Sequence, residues 1–231
     1  MKQCLLCNQF FAVKPDLFDL FIFKKITGPR ICPHCKKRFP LLKKTQCKIC
    51  DKEMTKNEIC SDCQMWDEIY HGKILKNRAI YEYSSAFHDL MVQYKRYGDY
   101  ELRKVLQELI KDQLQKFEYD FYVPIPTSPE HRDRRQFDTI SAIFQPLFPL
   151  TFMLEKKSGT RAQGQKNREQ RLKTPQSFLI ANLDGIRDNI SNQRILLLDD
   201  IYTTGRTLYN ARDKLLEVFP EVQIESFSIC R

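Results

Sequence analysis

The chain has 231 residues, of which 42% are hydrophobic and 29% are charged, and lysine and arginine outnumber the acidic residues by 38 to 29. This composition is ordinary for a soluble globular protein, and the length suits one large domain or one domain with a small appendage. Membrane and secreted classes are disfavoured, because no apolar run is long enough to span a bilayer and no secretory signal is recognisable. We therefore expect a cytoplasmic protein.

Eight of the nine cysteines form four Cys-x-x-Cys pairs within the first 63 residues. The pairs are Cys4/Cys7, Cys32/Cys35, Cys47/Cys50 and Cys60/Cys63. Two such pairs supply the four thiolates of a tetrahedral zinc shell, so these eight residues predict two structural zinc sites. A thioredoxin-like redox pair would need a surrounding βαβ pattern, which this segment lacks. The spacing leaves two arrangements open, one that uses the pairs sequentially and one that is cross-braced.

Strand and helix patterns alternate along the chain from residue 79 onward. Apolar stretches predict strands at 79–83, 121–123, 148–154, 177–181, 195–198 and 222–229. Apolar residues at helical spacing lie between them, most clearly at Leu102, Leu106 and Leu109. A further helix is expected after the polar loop that follows Pro126, and it should end at about Gln145. This alternation predicts an α/β domain with a mostly parallel sheet, whose ligands bind at the carboxyl ends of the strands. We assign residues 1–70 to a zinc-binding region and residues 71–231 to the α/β domain.

Residues 195–207, ILLLDDIYTTGRT, combine an apolar strand with two acids and a turn that enters a helix. A helix N-terminus offers unpaired backbone N–H groups and a partial positive charge, which suit a phosphate. The threonines add hydroxyl donors, and Gly205 lets the backbone come close to a ligand. The two acids can accept hydrogen bonds from the vicinal hydroxyls of a ribose. The residues assigned to this ribose 5-phosphate site are Asp199, Asp200, Thr203, Thr204, Gly205 and Thr207.

This run resembles the phosphoribosyl pyrophosphate motif of type I phosphoribosyltransferases, in which apolar residues, two acids and two further residues precede Thr-Thr-Gly-x-Thr. The resemblance implies a phosphoribosyl ligand, with Mg²⁺ as a companion where the pyrophosphate is bound. An apolar strand ending in two acids also occurs in P-loop ATPases. That alternative is rejected, because Gly159 and Gly164 are followed by Gln165-Lys166 instead of the Lys-Ser or Lys-Thr pair.

The order of a cysteine-rich region and a phosphoribosyltransferase-like domain is similar to the ComF family, specifically to its ComFC competence proteins. The resemblance covers nearly the whole chain. It includes the four cysteine pairs, the runs 94–99, 123–126 and 160–172, and the loop after Asp199. Two departures are present. Residues 135–139 are RQFDT where the family usually has RGFNQ, and Thr174 stands where an asparagine is common.

The resemblance implies a type I phosphoribosyltransferase-like fold and a late competence protein that handles incoming single-stranded DNA in natural transformation. Its implied partner is the DNA translocase ATPase ComFA, and recruitment to the inner face of the membrane by uptake partners stays open. The alternative is an active phosphoribosyltransferase that uses phosphoribosyl pyrophosphate with an unknown acceptor. The intact phosphate loop favours this alternative, although the resemblance does not establish a transferase activity.

The segment 156–173 carries a net charge of +6. Its cations, which we assign to DNA binding, are Lys156, Lys157, Arg161, Lys166, Arg168, Arg171 and Lys173. Basic segments of this type follow phosphate backbones, so the binding should weaken as salt is added. Two alternatives stay open for this segment, a solvated surface loop and a hood that closes over phosphoribosyl pyrophosphate.

Overall fold

The computed structural model describes residues 1–13, 28–116, 118–158, 175–181, 183 and 190–231. The strands are β1 (Lys2–Gln3), β2 (Phe10–Phe11), β3 (Asn77–Tyr81), β4 (Phe121–Pro124), β5 (Leu154–Lys156), β6 (Phe178–Ile180), β7 (Arg194–Ile201) and β8 (Gln223–Cys230). The α-helices are α1 (Pro33–Lys36), α2 (Ser61–Tyr70), α3 (Ser85–Lys95), α4 (Arg103–Ile110), α5 (Pro129–Arg135), α6 (Thr139–Phe144) and α7 (Arg206–Leu216). Short 3-10 helices cover Tyr100–Leu102 and Lys111–Lys116. In the described parts of the chain, no helix has the length and apolar composition needed to cross a bilayer.

Four strands form a parallel sheet in the order β3-β8-β7-β4. In its register, Leu198 of β7 lies opposite Pro124 of β4 on one side and Phe227 of β8 on the other. All four strands therefore end at the same edge, and the loop after β7 begins there. This arrangement confirms the expected α/β class with a parallel sheet. It is also consistent with a phosphoribosyltransferase-like fold.

Both faces of the sheet are covered, as a parallel sheet requires. Side chains alternate along β7, so that Leu196 and Leu198 pack with apolar residues of α3, α4 and α6. Ile195 and Leu197 point the other way and pack with α7, β5 and β6. The two apolar clusters are therefore separated by the sheet itself.

The cysteine-containing segments contribute side chains to both apolar clusters. Cys4, Cys32 and Cys35 are buried on the α3 side of the sheet, while Cys47, Cys50, Cys60 and Cys63 are buried on the α7 side. The chain between these two groups runs beside edge strand β3, where the Leu42 amide donates to the Ile80 carbonyl at 2.9 Å. The N-terminal segment thus borders the open edge of the sheet and packs against each of its faces.

Two predicted elements differ from the structure. The strand expected at 148–154 is reduced to a single bridge between Leu150 and Tyr122, and the regular strand is β5, which pairs antiparallel with β6. The helix expected to end near residue 145 is divided into α5 and α6. The division has a local cause, because Gln136 takes a left-handed conformation with φ 65° and Asp138 then caps α6 by accepting from the Ser141 amide at 2.8 Å.

The left-handed conformation of Gln136 predicts that glycine would be better tolerated there. The conformation costs a residue with a side chain roughly 1 kcal/mol, and glycine avoids that cost. We expect Gln136→Gly to raise the free energy of unfolding by up to about 1 kcal/mol, measured by urea denaturation.

Gln93→Gly provides the matched control, because Gln93 is an exposed residue inside α3 with right-handed backbone. Glycine inside a helix should lower the free energy of unfolding by about 1 kcal/mol. Equal losses for both variants would contradict the strain assigned to Gln136.

Candidate functional site

The eight paired cysteines form two groups of four. Each group brings its four Sγ atoms within 4.8 Å of one another, and the pairs are used sequentially. The first cysteine cluster contains Cys4, Cys7, Cys32 and Cys35, and the second contains Cys47, Cys50, Cys60 and Cys63. Of the two arrangements that the spacing allowed, the structure shows the sequential one.

The sulfur geometry fits a tetrahedral metal ion. A Zn–S bond of ~2.3 Å places neighbouring sulfurs about 3.8 Å apart in a tetrahedron. The observed separations are 3.9 Å between Cys7 and Cys32 and 3.6 Å between Cys50 and Cys60. Backbone amides also donate to ligand sulfurs, and the Cys60 amide lies 3.4 Å from the Cys47 sulfur. Both clusters could therefore hold a metal ion.

The second cluster needs a cation if all of its sulfurs are to be thiolates. The hydrogen bond with Cys60 raises the pKa of Cys50 to about 12, and hydrogen bonds with Cys50 and Cys60 also raise the pKa of Cys63. Four buried thiolates would repel one another strongly in this low-dielectric surrounding. A bound divalent metal removes this penalty, because it keeps thiolates deprotonated and compensates their charge.

The predicted phosphate loop, residues 199–207, joins the end of β7 to the start of α7 at the carboxyl edge of the sheet. Gly205 is the N-cap of α7 and has φ +81°. A Cβ atom at this position would also overlap the phenol group of the buried Tyr202. Gly205 is therefore required by the fold of the loop itself, in addition to any close approach of a ligand.

The two acids of the loop occupy different surroundings. Successive side chains of a strand point to opposite faces, and Asp200, only 3% exposed, lies on the face that carries α3. Its carboxylate pairs there with the ammonium group of Lys95, at the end of α3. Asp199 lies on the α7 side, and one of its carboxylate oxygens accepts from the Asp200 amide at 2.9 Å.

Asp199 has a strongly shifted proton affinity. Burial and the charge of Asp200 raise the pKa of Asp199 to about 7, while the ammonium groups of Lys95 and Lys156 act in the opposite direction. Near neutral pH, this carboxyl can therefore either donate or accept a hydrogen bond. A ribose hydroxyl can satisfy it in both states, because a hydroxyl is a donor and an acceptor.

The threonines of the loop have unequal environments. Thr203 is exposed, Thr207 is half-buried, and Thr204 is buried, with its carbonyl oxygen accepting from the Trp66 indole at 2.8 Å. The Thr203 carbonyl accepts from the Arg231 guanidinium at 2.9 Å. The loop is thus held through its backbone from the side of the second cysteine cluster.

Sequence reasoning did not assign Lys95, Trp66 or Arg231 to this site. Lys95 lies in the run 94–99 that resembles the ComF pattern, so this run could have marked it as a candidate site residue. Trp66 is a single tryptophan that follows the last cysteine pair by three residues, which indicates little beyond a buried position. Arg231 has no motif around it, and only the fold brings it to the loop.

The basic segment is described only at its ends. Lys156 closes β5 with its ammonium group 5.6 Å from the centre of the Phe178 ring, and the Lys157 amide donates to the Ser177 carbonyl at 2.9 Å. The other five cations assigned to DNA binding, Arg161, Lys166, Arg168, Arg171 and Lys173, lie outside the described residues. Thr174, where the family pattern has asparagine, lies outside them as well.

Two competence proteins are similar to this chain over nearly its whole length. The chain is 33% identical over 230 residues to competence protein ComFC of Streptococcus pneumoniae, covering 99% of this chain and 100% of that protein. It is 25% identical over 233 residues to competence protein ComFC of Bacillus subtilis, covering 99% of this chain and 94% of that protein. No protein-family model matches the chain.

The raised pKa of Asp199 predicts a stability that depends on pH. The folded state holds the proton of Asp199 more tightly than an unfolded chain, where the pKa is 3.8. The resulting stabilisation is complete below that value and is lost as the pH rises through about 7. We expect Asp199→Asn, which is neutral at every pH, to raise Tm more at about pH 8 than at about pH 5.

Thermal unfolding at the two pH values tests this, with Asp133→Asn as the matched control. Asp133 is an exposed residue of α5, so this control should leave Tm nearly unchanged at both pH values. A gain for Asp199→Asn that is the same at both pH values would contradict the raised pKa.

Proposed function

The chain belongs to the ComFC family of competence proteins, and from this premise we propose that it handles incoming single-stranded DNA in the cytoplasm during natural transformation. Its proposed partner is a ComFA-type DNA translocase ATPase. The proposed DNA contacts are the seven cations of the segment 156–173, and the proposed small ligand is a phosphoribosyl group in the phosphate loop. The two competence proteins named above support the role in competence.

The observation that carries the DNA proposal is the position of Lys156 and Lys157, the two cations of the basic segment that the structure describes. Lys156 closes β5 and Lys157 follows it, and the ammonium group of Lys156 is close enough to Asp199 to oppose the rise in that carboxyl's pKa. A DNA backbone bound by this segment would therefore pass near the phosphate loop. Phosphate contacts of this kind give affinity with little preference for sequence, as a protein that receives arbitrary DNA needs.

The phosphoribosyl pocket rests on the loop after β7. The N-terminus of the eleven-residue helix α7 presents backbone N–H groups to a 5-phosphate, and the threonine hydroxyls add donors. Asp199 would accept from, or donate to, the ribose hydroxyls. Mg²⁺ would enter with phosphoribosyl pyrophosphate and neutralise part of its charge. We assign no acceptor and no transfer step to this pocket.

An active phosphoribosyltransferase is the second candidate function. The loop favours it, because the full motif is present and Asp199 has a pKa near the pH of the cell. A carboxyl with that pKa is suited to exchange protons with a substrate. The two candidates differ in what they must bind, since only the transferase requires phosphoribosyl pyrophosphate as a substrate.

The metal in both cysteine clusters is proposed to be zinc, because four thiolates in a closed tetrahedral shell are typical of structural zinc. We expect two zinc ions in each chain purified without chelator, measured by elemental analysis. Cys47→Ser should remove one ion, because it deletes a ligand of the second cluster.

The same substitution at Cys230 is the matched control, since this buried cysteine belongs to neither cluster. Cys230→Ser should retain both ions. Iron in place of zinc, or two ions retained by Cys47→Ser, would contradict the assignment.

Side-by-side titration of the purified protein with single-stranded oligonucleotide and with Mg²⁺-phosphoribosyl pyrophosphate tests the two functions. We expect DNA binding that weakens with salt. Replacing Lys156, Lys157, Arg161 and Lys166 by alanine should flatten the slope of log affinity against log salt by up to about 3. The matched control removes four exposed lysines elsewhere, at Lys56, Lys73, Lys76 and Lys111. It should leave the slope nearly unchanged.

An equal change of slope in both quadruple variants would mean that net charge, and not the segment, governs DNA binding. Phosphoribosyl pyrophosphate binding without DNA binding would favour the transferase. Transformation frequency of the variants then shows whether the DNA contact serves uptake. Normal transformation by a protein that has lost DNA affinity would refute the proposed function.

A further inference from the structure

Helix α2 connects the second cysteine cluster to the phosphate loop. Cys60 is its N-cap and Cys63 lies in its first turn, so two of the four sulfurs of the cluster are attached to this helix. Trp66 and Tyr70 follow at spacings of three and four residues, which places them on the same face. That face is turned toward α7, whose Tyr209 ring stacks on Trp66 at 4.2 Å and on Tyr70 at 4.8 Å between centroids.

The Trp66 indole fixes one peptide of the loop. It donates to the Thr204 carbonyl at 2.8 Å, and Trp66 is 1% exposed, so water does not compete for this bond. In a trans peptide the carbonyl and the following N–H point in opposite directions. Holding the Thr204 carbonyl toward Trp66 therefore aims the Gly205 N–H away from it. This N–H is one of the donors that a helix N-terminus offers to a phosphate.

Arg231 fixes the preceding peptide in the same way. Its guanidinium donates to the Thr203 carbonyl at 2.9 Å and lies 4.4 Å from the centre of the Tyr202 ring. The same group approaches Asp62, with 3.9 Å between Nη2 and Oδ2. Asp62 lies between Cys60 and Cys63, at the start of α2. Both peptides are therefore oriented by side chains that are attached to, or paired with, the segment holding the second cluster.

We propose that Trp66 and Arg231 are positioning residues of the phosphate loop, through which the α2 segment sets the direction of the loop's phosphate-binding N–H groups. The part of this proposal that concerns affinity rests on the proposed phosphoribosyl pocket. Both side chains contact carbonyl oxygens of the loop, at Thr204 and at Thr203. Each acts by preventing a peptide of the loop from rotating, which would turn an N–H donor away and a carbonyl toward the phosphate.

The test compares Trp66→Phe with Tyr70→Phe in the full chain. Trp66→Phe removes the N–H donor and keeps an aromatic ring against Tyr209. Tyr70→Phe is the matched control. It removes a hydroxyl from the same helix, one that donates to the Asp213 carboxylate at 2.5 Å and does not contact the loop. Elemental analysis and thermal unfolding first establish that both variants keep their metal and fold.

Hydrogen exchange of the ligand-free protein is the primary measurement. Amides of residues 203–207 should exchange about tenfold faster in Trp66→Phe and at the wild-type rate in Tyr70→Phe. Calorimetry with Mg²⁺-phosphoribosyl pyrophosphate should then show about tenfold weaker binding for Trp66→Phe only. Arg231→Gln should give the same two effects, and it serves as the test if Trp66→Phe does not fold.

Unchanged exchange at residues 203–207 in a folded Trp66→Phe or Arg231→Gln variant overturns the proposal. The failure of the proposed function has a different signature. If the wild type shows no affinity for phosphoribosyl pyrophosphate while the variants still exchange faster at 203–207, the ligand assignment fails and the positioning role stands. Wild-type affinity that both loosened variants retain in full overturns the link between loop order and binding.

Discussion

A parallel sheet has to be covered on both faces, and in this chain the cysteine-containing segment supplies part of each cover. The first cluster packs beside α3 and α4, the second packs beside α7, and the residues between them run along the edge strand β3. The clusters are therefore built into the two sides of the core. Loss of a metal ion bound by either cluster should therefore destabilise the sheet as well as the short segments that carry the cysteines.

The fold was predictable where the period of apolar residues was long and regular. The buried strand at Ile195–Leu198 and the stripe through Leu102, Leu106 and Leu109 both appear as expected. The segment 148–154 was not, because strand-like composition in a short stretch does not decide which partner it finds. The division at residue 70 stays a prediction, although α2 ends at that residue.

The chemistry of the site was harder to predict from the sequence than its location. The motif identifies Asp199 and Asp200 as a pair, but the two-residue period of a strand sends them to opposite faces, where Asp200 meets Lys95. No spacing in the sequence links Lys95 with residue 200 or Trp66 with residue 204. These contacts arise because helices pack against the sheet and beside the loop.

The fold also bears on the departures from the ComF pattern at 135–139. Gln136 occupies a left-handed position that favours glycine, and Asp138 serves as the acceptor that caps α6.

Trp66 is the only tryptophan among the 231 residues. It is buried, it shares a hydrogen bond with the carbonyl that precedes Gly205, and it stacks on Tyr209 of the helix that the loop begins. The tryptophan fluorescence of the protein therefore originates at a single indole beside the phosphate loop. A change in wavelength or intensity of that emission would report the state of this loop directly, without any label. The fold has in effect placed an optical probe at the point where the cysteine segment and the phosphate loop meet.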